Sequence, residues 1–200
     1  MAYRILGLDP GTNYMGYGVL EIDGRTLRPI VLGDIDIHKI TDPYEKLRYI
    51  FERVRELIDS YSPSQVALES PFFGKNVQSM LKLGRAQGVA MAAALSCNKP
   101  VAEYAPTRIK QAITGAGMAS KEQVAAIVMR LLKVDNPPRR MDATDGMAVA
   151  LAHYYATSSP INAALGSDRI KGLGGDKVAR KRGSTSWEQF VSQNPKRVKQ

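Results

Sequence analysis

The sequence predicts an α/β domain built on a mixed five-stranded sheet with helices on both faces. Strand patterns open the chain, helix and strand patterns then alternate, and helices follow before a basic tail. Its 200 residues, 44% of them hydrophobic, suffice for one domain with a core. We place the domain at residues 1–157 and the tail at 158–200.

The N-terminal part predicts three antiparallel strands in a meander. Tyr3–Asp9 is a buried strand, and a turn at Pro10–Asn13 leads to a second strand at Met15–Ile22. Asp23-Gly24 is typical of a tight hairpin, which predicts a third strand at Leu27–Ile37.

The middle of the chain predicts helices joined by parallel strands. Asp42-Pro43 is a helix start with a capping acid, and apolar residues at helical spacing continue to Ile58. A helix followed by a strand indicates a crossover connection and parallel pairing. The remaining predicted elements are a strand at Gln65–Glu69, a helix at Lys75–Asn98, a strand at Val101–Tyr104, and helices at Pro106–Thr114, Ser120–Leu132 and Met141–Tyr155.

Charge is concentrated at the C-terminal end. The chain has 28 lysines and arginines against 19 acidic residues, a net charge of +9. Residues 158–200 carry nine of the basic and three of the acidic residues, so the tail alone has a net charge of +6. Its few apolar residues predict a mostly disordered tail, and its charge favours a polyanionic partner.

Four carboxylates occupy positions at which we expect a functional site. Asp9 ends the first strand and Glu69 ends the fourth, so both project from one sheet edge if these strands are neighbours. Asp142 and Asp145 lie three residues apart and share a helix face. Acids at the ends of buried strands cost free energy unless a cation compensates them. In a basic chain this predicts metal-dependent cutting of a nucleic acid.

The oxygen ligands of these acids suit Mg²⁺, with Mn²⁺ as a substitute. We predict two ions per site, since two ions about 3.5–4 Å apart activate a water and stabilise the leaving oxygen in phosphodiester hydrolysis. Asp9 is the candidate bridge between them. Each acid also has a structural interpretation: Asp9 as a turn residue, Glu69 as the partner of a lysine, and the Asp142–Asp145 pair as a helix cap and first-turn acid.

Five stretches resemble the RuvC family of crossover (Holliday) junction endodeoxyribonucleases over about residues 3–157. They are Ile5–Thr12 with Gly16-Tyr17-Gly18; Ala67-Leu68-Glu69 with Phe72, Lys75 and Asn76; Leu81–Gly88; Tyr104-Ala105-Pro106 with Lys110, Gly115 and Lys121–Val124; and Asp142–Ala148. This resemblance implies a ribonuclease-H-like fold in which Asp9, Glu69, Asp142 and Asp145 are the catalytic and metal-binding acids. The basic tail lies outside the resemblance.

DNA-binding residues also follow from this resemblance. The family places an aromatic side chain that stacks on bases at Phe72, with Phe73 as a second candidate, and phosphate contacts at Lys110 and Lys121. The alternatives are that one phenylalanine packs in the core and that the lysines are merely solvated. Further basic residues that extend the same track are Lys75, Arg108, Arg139 and Arg140.

The resemblance further implies a homodimer that nicks two opposed strands of a four-way DNA junction with Mg²⁺. A branch-migration motor complex of the RuvA and RuvB type is the expected partner, and the cytoplasm, at the nucleoid, is the expected location. A two-fold dimer supplies two sites to a junction of near two-fold symmetry. Gly84, Gly88 and Ala92 share one helix face and are the candidate interface, with packing against the chain's own sheet as the alternative.

Simple features exclude other classes of protein. The one cysteine, Cys97, allows no intrachain disulfide. The sequence contains no run of about 18 apolar residues, so no membrane span is expected.

Two rival functions stay open. Actin-like sugar kinases and ATPases also place an acid before a glycine turn, although 200 residues are short for their two lobes. In a non-enzymatic junction-binding protein, the acids would serve only the fold.

Overall fold

The protein folds around one mixed sheet in the computed structural model, which describes residues 1–71, 76–134, 138 and 140–158. The predicted order of elements is confirmed. The elements are β1 (Tyr3–Asp9), β2 (Tyr14–Asp23), β3 (Thr26–Asp36), α1 (Pro43–Tyr61), β4 (Gln65–Glu69), α2 (Val77–Ser96), β5 (Val101–Tyr104), α3 (Pro106–Thr114), α4 (Lys121–Leu132) and α5 (Asp142–Ser158). The tail from residue 159 lies outside the described residues, so the division at residue 157 stays a prediction.

The sheet has the strand order β3-β2-β1-β4-β5. β1, β2 and β3 form the predicted antiparallel meander, while β4 is parallel to β1 and β5 is parallel to β4. Gly24 has a φ of 60° in the hairpin between β2 and β3, a conformation that glycine adopts without steric cost. The crossover through α1 therefore places β4 directly beside the first strand.

Two hydrophobic cores lie on opposite faces of the sheet. Successive residues of β1 serve different cores because side chains alternate along a strand: Ile5 packs with α3, α4 and α5, whereas Leu6 packs with α1 and α2. Burying each such side chain contributes roughly 1.5–3 kcal/mol. Among the described residues, no helix combines the length and the apolar character needed to cross a bilayer.

Local capping sets the ends of the helices. Asp42 accepts hydrogen bonds from the backbone of Tyr44 and Glu45, and Ser120 and Gln123 form the predicted capping box of α4. Lys75, the first residue of the predicted span Lys75–Asn98, lies outside the described residues. The rest of that prediction is wrong by one residue at the start and by two at the end of α2. Its start is set by Asn76, whose side chain caps the helix by accepting from the Ser79 N–H.

One face of α2 is open rather than packed on the sheet. A Cβ placed on Gly84 or Gly88 meets no atom of the described residues within 4 Å outside the helix's own neighbouring backbone, and Ala92 is exposed. The opposite face, which includes Ala90, is buried against the core. Packing of the glycine face against the chain's own sheet is therefore wrong.

Candidate active site

Two acidic side chains stand at the carboxyl ends of adjacent central strands. β1 and β4 are parallel, with Leu8 paired to Leu68, and the residues that follow this pair are Asp9 and Glu69. The register therefore brings both acids to the same edge of the sheet. This juxtaposition is the one predicted from the sequence.

α5 brings two further acids to this edge because glycines let it lie directly on the sheet. A Cβ on Gly16 would lie 1.8 Å from the carbonyl oxygen of Asp142, and one on Gly146 would lie 2.5 Å from the Cα of Tyr17. No larger residue fits at either position without moving the helix. Sequence reasoning missed this role, since the contacts join residues far apart in the chain.

Asp9, Glu69 and Asp145 line one small cleft of about 50 Å³, and two lysines reach the same cleft. Lys110 comes from α3 and Lys121 from the first residue of α4, which the capping box holds in place. The Lys121 ammonium donates to an oxygen of Asp145 at 2.8 Å. The apolar wall of the cleft consists of Pro106, Ile109, Val124 and Ala148.

The acids share one electrostatic environment. Burial raises the pKa of Asp9 well above its usual value, and the charges of Glu69, Asp145 and Asp142 raise it further. Burial also raises the pKa of Glu69 to about 7, with the Asp145 charge adding to this effect against the lysines. The pKa of Asp145 is raised chiefly by burial, despite its hydrogen bond from Lys121. The two lysines do not offset burial and the repulsion among the acids, so a bound cation would stabilise the ionised carboxylates here.

Asp142 lies beside the cleft rather than in its lining. It is the first residue of α5 and stands outside the cleft lining, although its charge contributes to the raised pKa of Asp9 after burial and the other two acids. Three of the four predicted acids thus line the cleft, with the fourth beside it.

The side chains do not form a ready-made ion cage. Within residues 1–71, 76–134, 138 and 140–158, no three His, Cys, Asp or Glu side chains are arranged to hold one ion together. The ammonium of Lys121 also occupies one oxygen of Asp145. The donor chemistry nevertheless fits a divalent metal, since Mg²⁺ and Mn²⁺ prefer carboxylate oxygens.

The predicted DNA-binding residues have different fates. Lys110 and Lys121 lie at the cleft, whereas Arg108 is exposed on α3 and lines a separate pocket with Tyr104 and Gln111. Arg140 packs on the ring of Tyr14, a contact that the sequence did not indicate. The remaining candidates, Phe72, Phe73, Lys75 and Arg139, lie outside the described residues.

A mixed five-stranded sheet with acids at the ends of its two central strands defines a nuclease of the ribonuclease-H-like class. The profile of the family described as crossover junction endodeoxyribonuclease RuvC matches residues 5–153. The chain belongs to this family and is an endodeoxyribonuclease that acts at crossover junctions.

Relatives and solved structures agree with this assignment. The crossover junction endodeoxyribonuclease RuvC of Bacteroides fragilis is 50% identical over 197 residues, which are 98% of this chain and 95% of that protein. The Porphyromonas gingivalis protein of the same name is 49% identical over 98% of this chain and 96% of its own length. Thermus thermophilus RuvC in complex with Holliday junction substrate has a TM-score of 0.71 and 32% identity, covering 76% of this chain and 93% of that one. The kinase and non-enzymatic interpretations are therefore wrong.

Proposed function

We propose that the chain is a metal-dependent Holliday-junction resolvase in which Asp9, Glu69, Asp142 and Asp145 hold two Mg²⁺ ions, with Mn²⁺ as a substitute. The observation that carries this proposal is the meeting of three half-buried acids at one sheet edge, with pKa values raised by partial burial and mutual repulsion. The junction DNA bound to the Thermus thermophilus relative supports a four-way junction as the substrate.

The chain's own residues divide the work of phosphodiester cleavage. The four acids would hold the metal ions at the sheet edge, and the apolar wall borders the cleft on the side of α3 and α4. Lys110 and Lys121 provide donors for the phosphate that is cut, because their ammonium groups reach the same cleft. When bound, the paired ions would supply activation of a water and stabilisation of the leaving oxygen.

A synthetic four-way junction and a linear duplex of the same sequence test this function. We expect paired nicks in opposed strands of the junction with Mg²⁺, and no nicks with EDTA. The duplex should stay uncut under both conditions. Cutting in EDTA, or equal cutting of the duplex, would contradict the proposal.

A second copy of the chain is the proposed occupant of the open face of α2. Exposed apolar side chains continue the line of Gly84, Gly88 and Ala92: Leu81 is 53%, Val77 is 64% and Leu95 is 48% exposed. An apolar stripe on the side of the helix opposite the core is typical of a helix–helix interface. The proposed resolvase supplies the reason for two-fold assembly, because two opposed strands must be cut.

Light scattering of Leu81→Glu tests this interface. A charge in the middle of the stripe should convert a dimer into a monomer, since it would be buried without a partner. The matched control is Leu131→Glu on α4, where the original leucine is similarly exposed at 46%. Loss of the dimer in both variants, or in neither, would reject α2 as the interface.

The partner complex and the location are proposals from family resemblance. A branch-migration motor of the RuvA and RuvB type would deliver junctions, and work on chromosomal junctions places the chain in the cytoplasm at the nucleoid. Co-purification with junction DNA and the motor proteins from cells, compared with a Leu81→Glu strain, is the corresponding measurement.

A further inference from the structure

A cluster of contacts outside the cleft holds the chain just before α5. The guanidinium carbon of Arg140, two residues before Asp142, lies 3.6 Å from the centre of the Tyr14 ring. Nε of Arg140 lies 4.0 Å from an oxygen of Asp34 on β3. The other side of this cluster is the His38 ring, whose centroid is 5.4 Å from that of Tyr14. We call Arg140, Tyr14 and Asp34 the Arg140 clamp.

The surroundings of Arg140 do not suit a phosphate contact. Its guanidinium lies near Asp34, and its charge also acts on Asp36, whose pKa is lowered chiefly by a hydrogen bond with His38. Two carboxylates thus offset one guanidinium, and the ring of Tyr14 covers one face of it. Asp34 and Tyr14 therefore occupy the guanidinium of Arg140, which the sequence assigned to the DNA-binding track.

The clamp acts on the same stretch of backbone that places the metal-binding acids. The carbonyl of Met141, the residue after Arg140, accepts the N–H groups of Thr144 and Asp145 and so forms the first turn of α5. The carbonyl of Asp142 rests against Gly16 on β2. Tyr14 begins that strand, so the clamp ties the entry of α5 to the strand on which the helix rests.

We propose that the Arg140 clamp positions Asp142 and Asp145 for metal binding, which makes Arg140 and Tyr14 positioning residues of the active site. The inference rests on the proposed function in one respect, namely that these acids bind a divalent metal. Without the clamp, the first turn of α5 gains freedom while the rest of the helix stays docked through the buried side chains from Met147 to Ala152.

Electrostatics alone predicts the opposite effect. Arg140 carries a positive charge two residues before Asp142, so its removal would strengthen the binding of a cation if only long-range charge mattered. A positioning role predicts weaker binding, because the oxygens must then be ordered when the ion binds. The sign of the change therefore separates the two roles.

The test is a titration of the full-length chain with Mn²⁺ in the absence of DNA, followed by electron paramagnetic resonance. We expect Arg140→Ala and Tyr14→Leu each to weaken Mn²⁺ binding about threefold to tenfold, and Arg140→Lys to restore part of it. Arg25→Ala, which removes an exposed arginine at the β2–β3 hairpin, is the matched control and should bind as the wild type does. Melting curves in EDTA identify a temperature at which every variant is folded.

Unchanged or tighter Mn²⁺ binding by both clamp variants would overturn the inference, as would equal weakening in Arg25→Ala. These outcomes leave the proposed function intact if the wild type binds Mn²⁺ and Asp9→Asn does not. A wild type that fails to bind Mn²⁺ would overturn the clamp and the proposed metal site together.

Discussion

Individual side chains of the cleft differ in the charge that surrounds them. Asp9 is the most central acid, because Glu69, Asp145 and Asp142 all act on it after burial to raise its pKa. Lys121 responds in the complementary way: burial lowers its pKa, but the hydrogen bond to Asp145 and the charges of the acids outweigh this and raise it. Substitution of these residues one at a time therefore separates metal binding from DNA binding.

Asp9→Asn should abolish cutting while preserving junction binding. The change removes a metal ligand, so we expect cleavage to fall at least about a hundredfold. Junction affinity should stay equal or increase, since one negative charge near phosphate is lost. Gel-shift titration in Ca²⁺ and single-turnover cleavage in Mg²⁺ measure the two properties. Lost binding with unaltered turnover per complex would contradict the assigned role.

Glu69→Gln should change how stability depends on pH in metal-free protein. The pKa of Glu69 is about 7 in the fold against 4.5 as reference, so the native state holds a proton that the unfolded state releases. Its stabilising contribution, about 3 kcal/mol, is present below pH 4.5 and is lost as pH rises through about 7. Denaturation in EDTA at several pH values should show this loss in the wild type relative to Glu69→Gln.

A buried histidine makes the comparison with the variant necessary. His153 donates from Nε2 to the amide oxygen of Gln65 and accepts the Tyr104 hydroxyl at Nδ1, and burial lowers its pKa to about 4. The fold therefore loses stability as pH falls from 6.5 through about 4, opposite in sign to the Glu69 effect. The wild-type curve alone mixes the effects of His153, Glu69 and the other acids of the cleft. Equal slopes in wild type and Glu69→Gln would contradict the Glu69 assignment.

Among the elements, α5 depends on direct contact with the sheet. Gly16→Ala places a Cβ against the backbone of Asp142, so α5 must shift at its first turn. We expect a loss of roughly 1–3 kcal/mol of stability, measured by denaturation. Cleavage should need a higher Mg²⁺ concentration, measured by metal titration of activity.

Gly33→Ala is the control within the same sheet. Its added Cβ meets the outer end of the Tyr17 side chain, with the hydroxyl at 2.5 Å, and this side chain can rotate away. The control should therefore cost less stability and leave the metal requirement unchanged. Equal effects of the two substitutions on stability and on metal requirement would contradict a specific role for the contact between Gly16 and α5.

Local elements were predictable from the sequence, whereas contacts between distant elements were not. Strand ends, turn glycines and caps such as Ser120 depend on neighbouring residues, so Asp9 and Glu69 could be assigned to one sheet edge. The pairing of Lys121 with Asp145 and the stacking of Arg140 on Tyr14 depend on how helices rest on the sheet. No local pattern encodes that placement.

For the whole molecule, the basic tail is the largest concentration of charge. Removal of residues 159–200 deletes nine lysines and arginines against three acids. We expect the slope of log affinity for DNA against log salt to decrease by at least about one unit, because fewer counterions are released on binding. Metal-dependent cutting should persist. Filter binding at several salt concentrations measures this, and an unchanged slope would refute a DNA-binding role for the tail.

The two cores on opposite sides of the sheet separate the parts of the molecule. The cleft is bordered by α3, α4 and α5, whereas the open glycine face belongs to α2 in the other layer. A neighbour seated on α2 thus leaves the acids accessible from solvent. Substitutions on the open face of α2 can therefore change which molecules associate with the chain while the chemistry of the cleft stays the same.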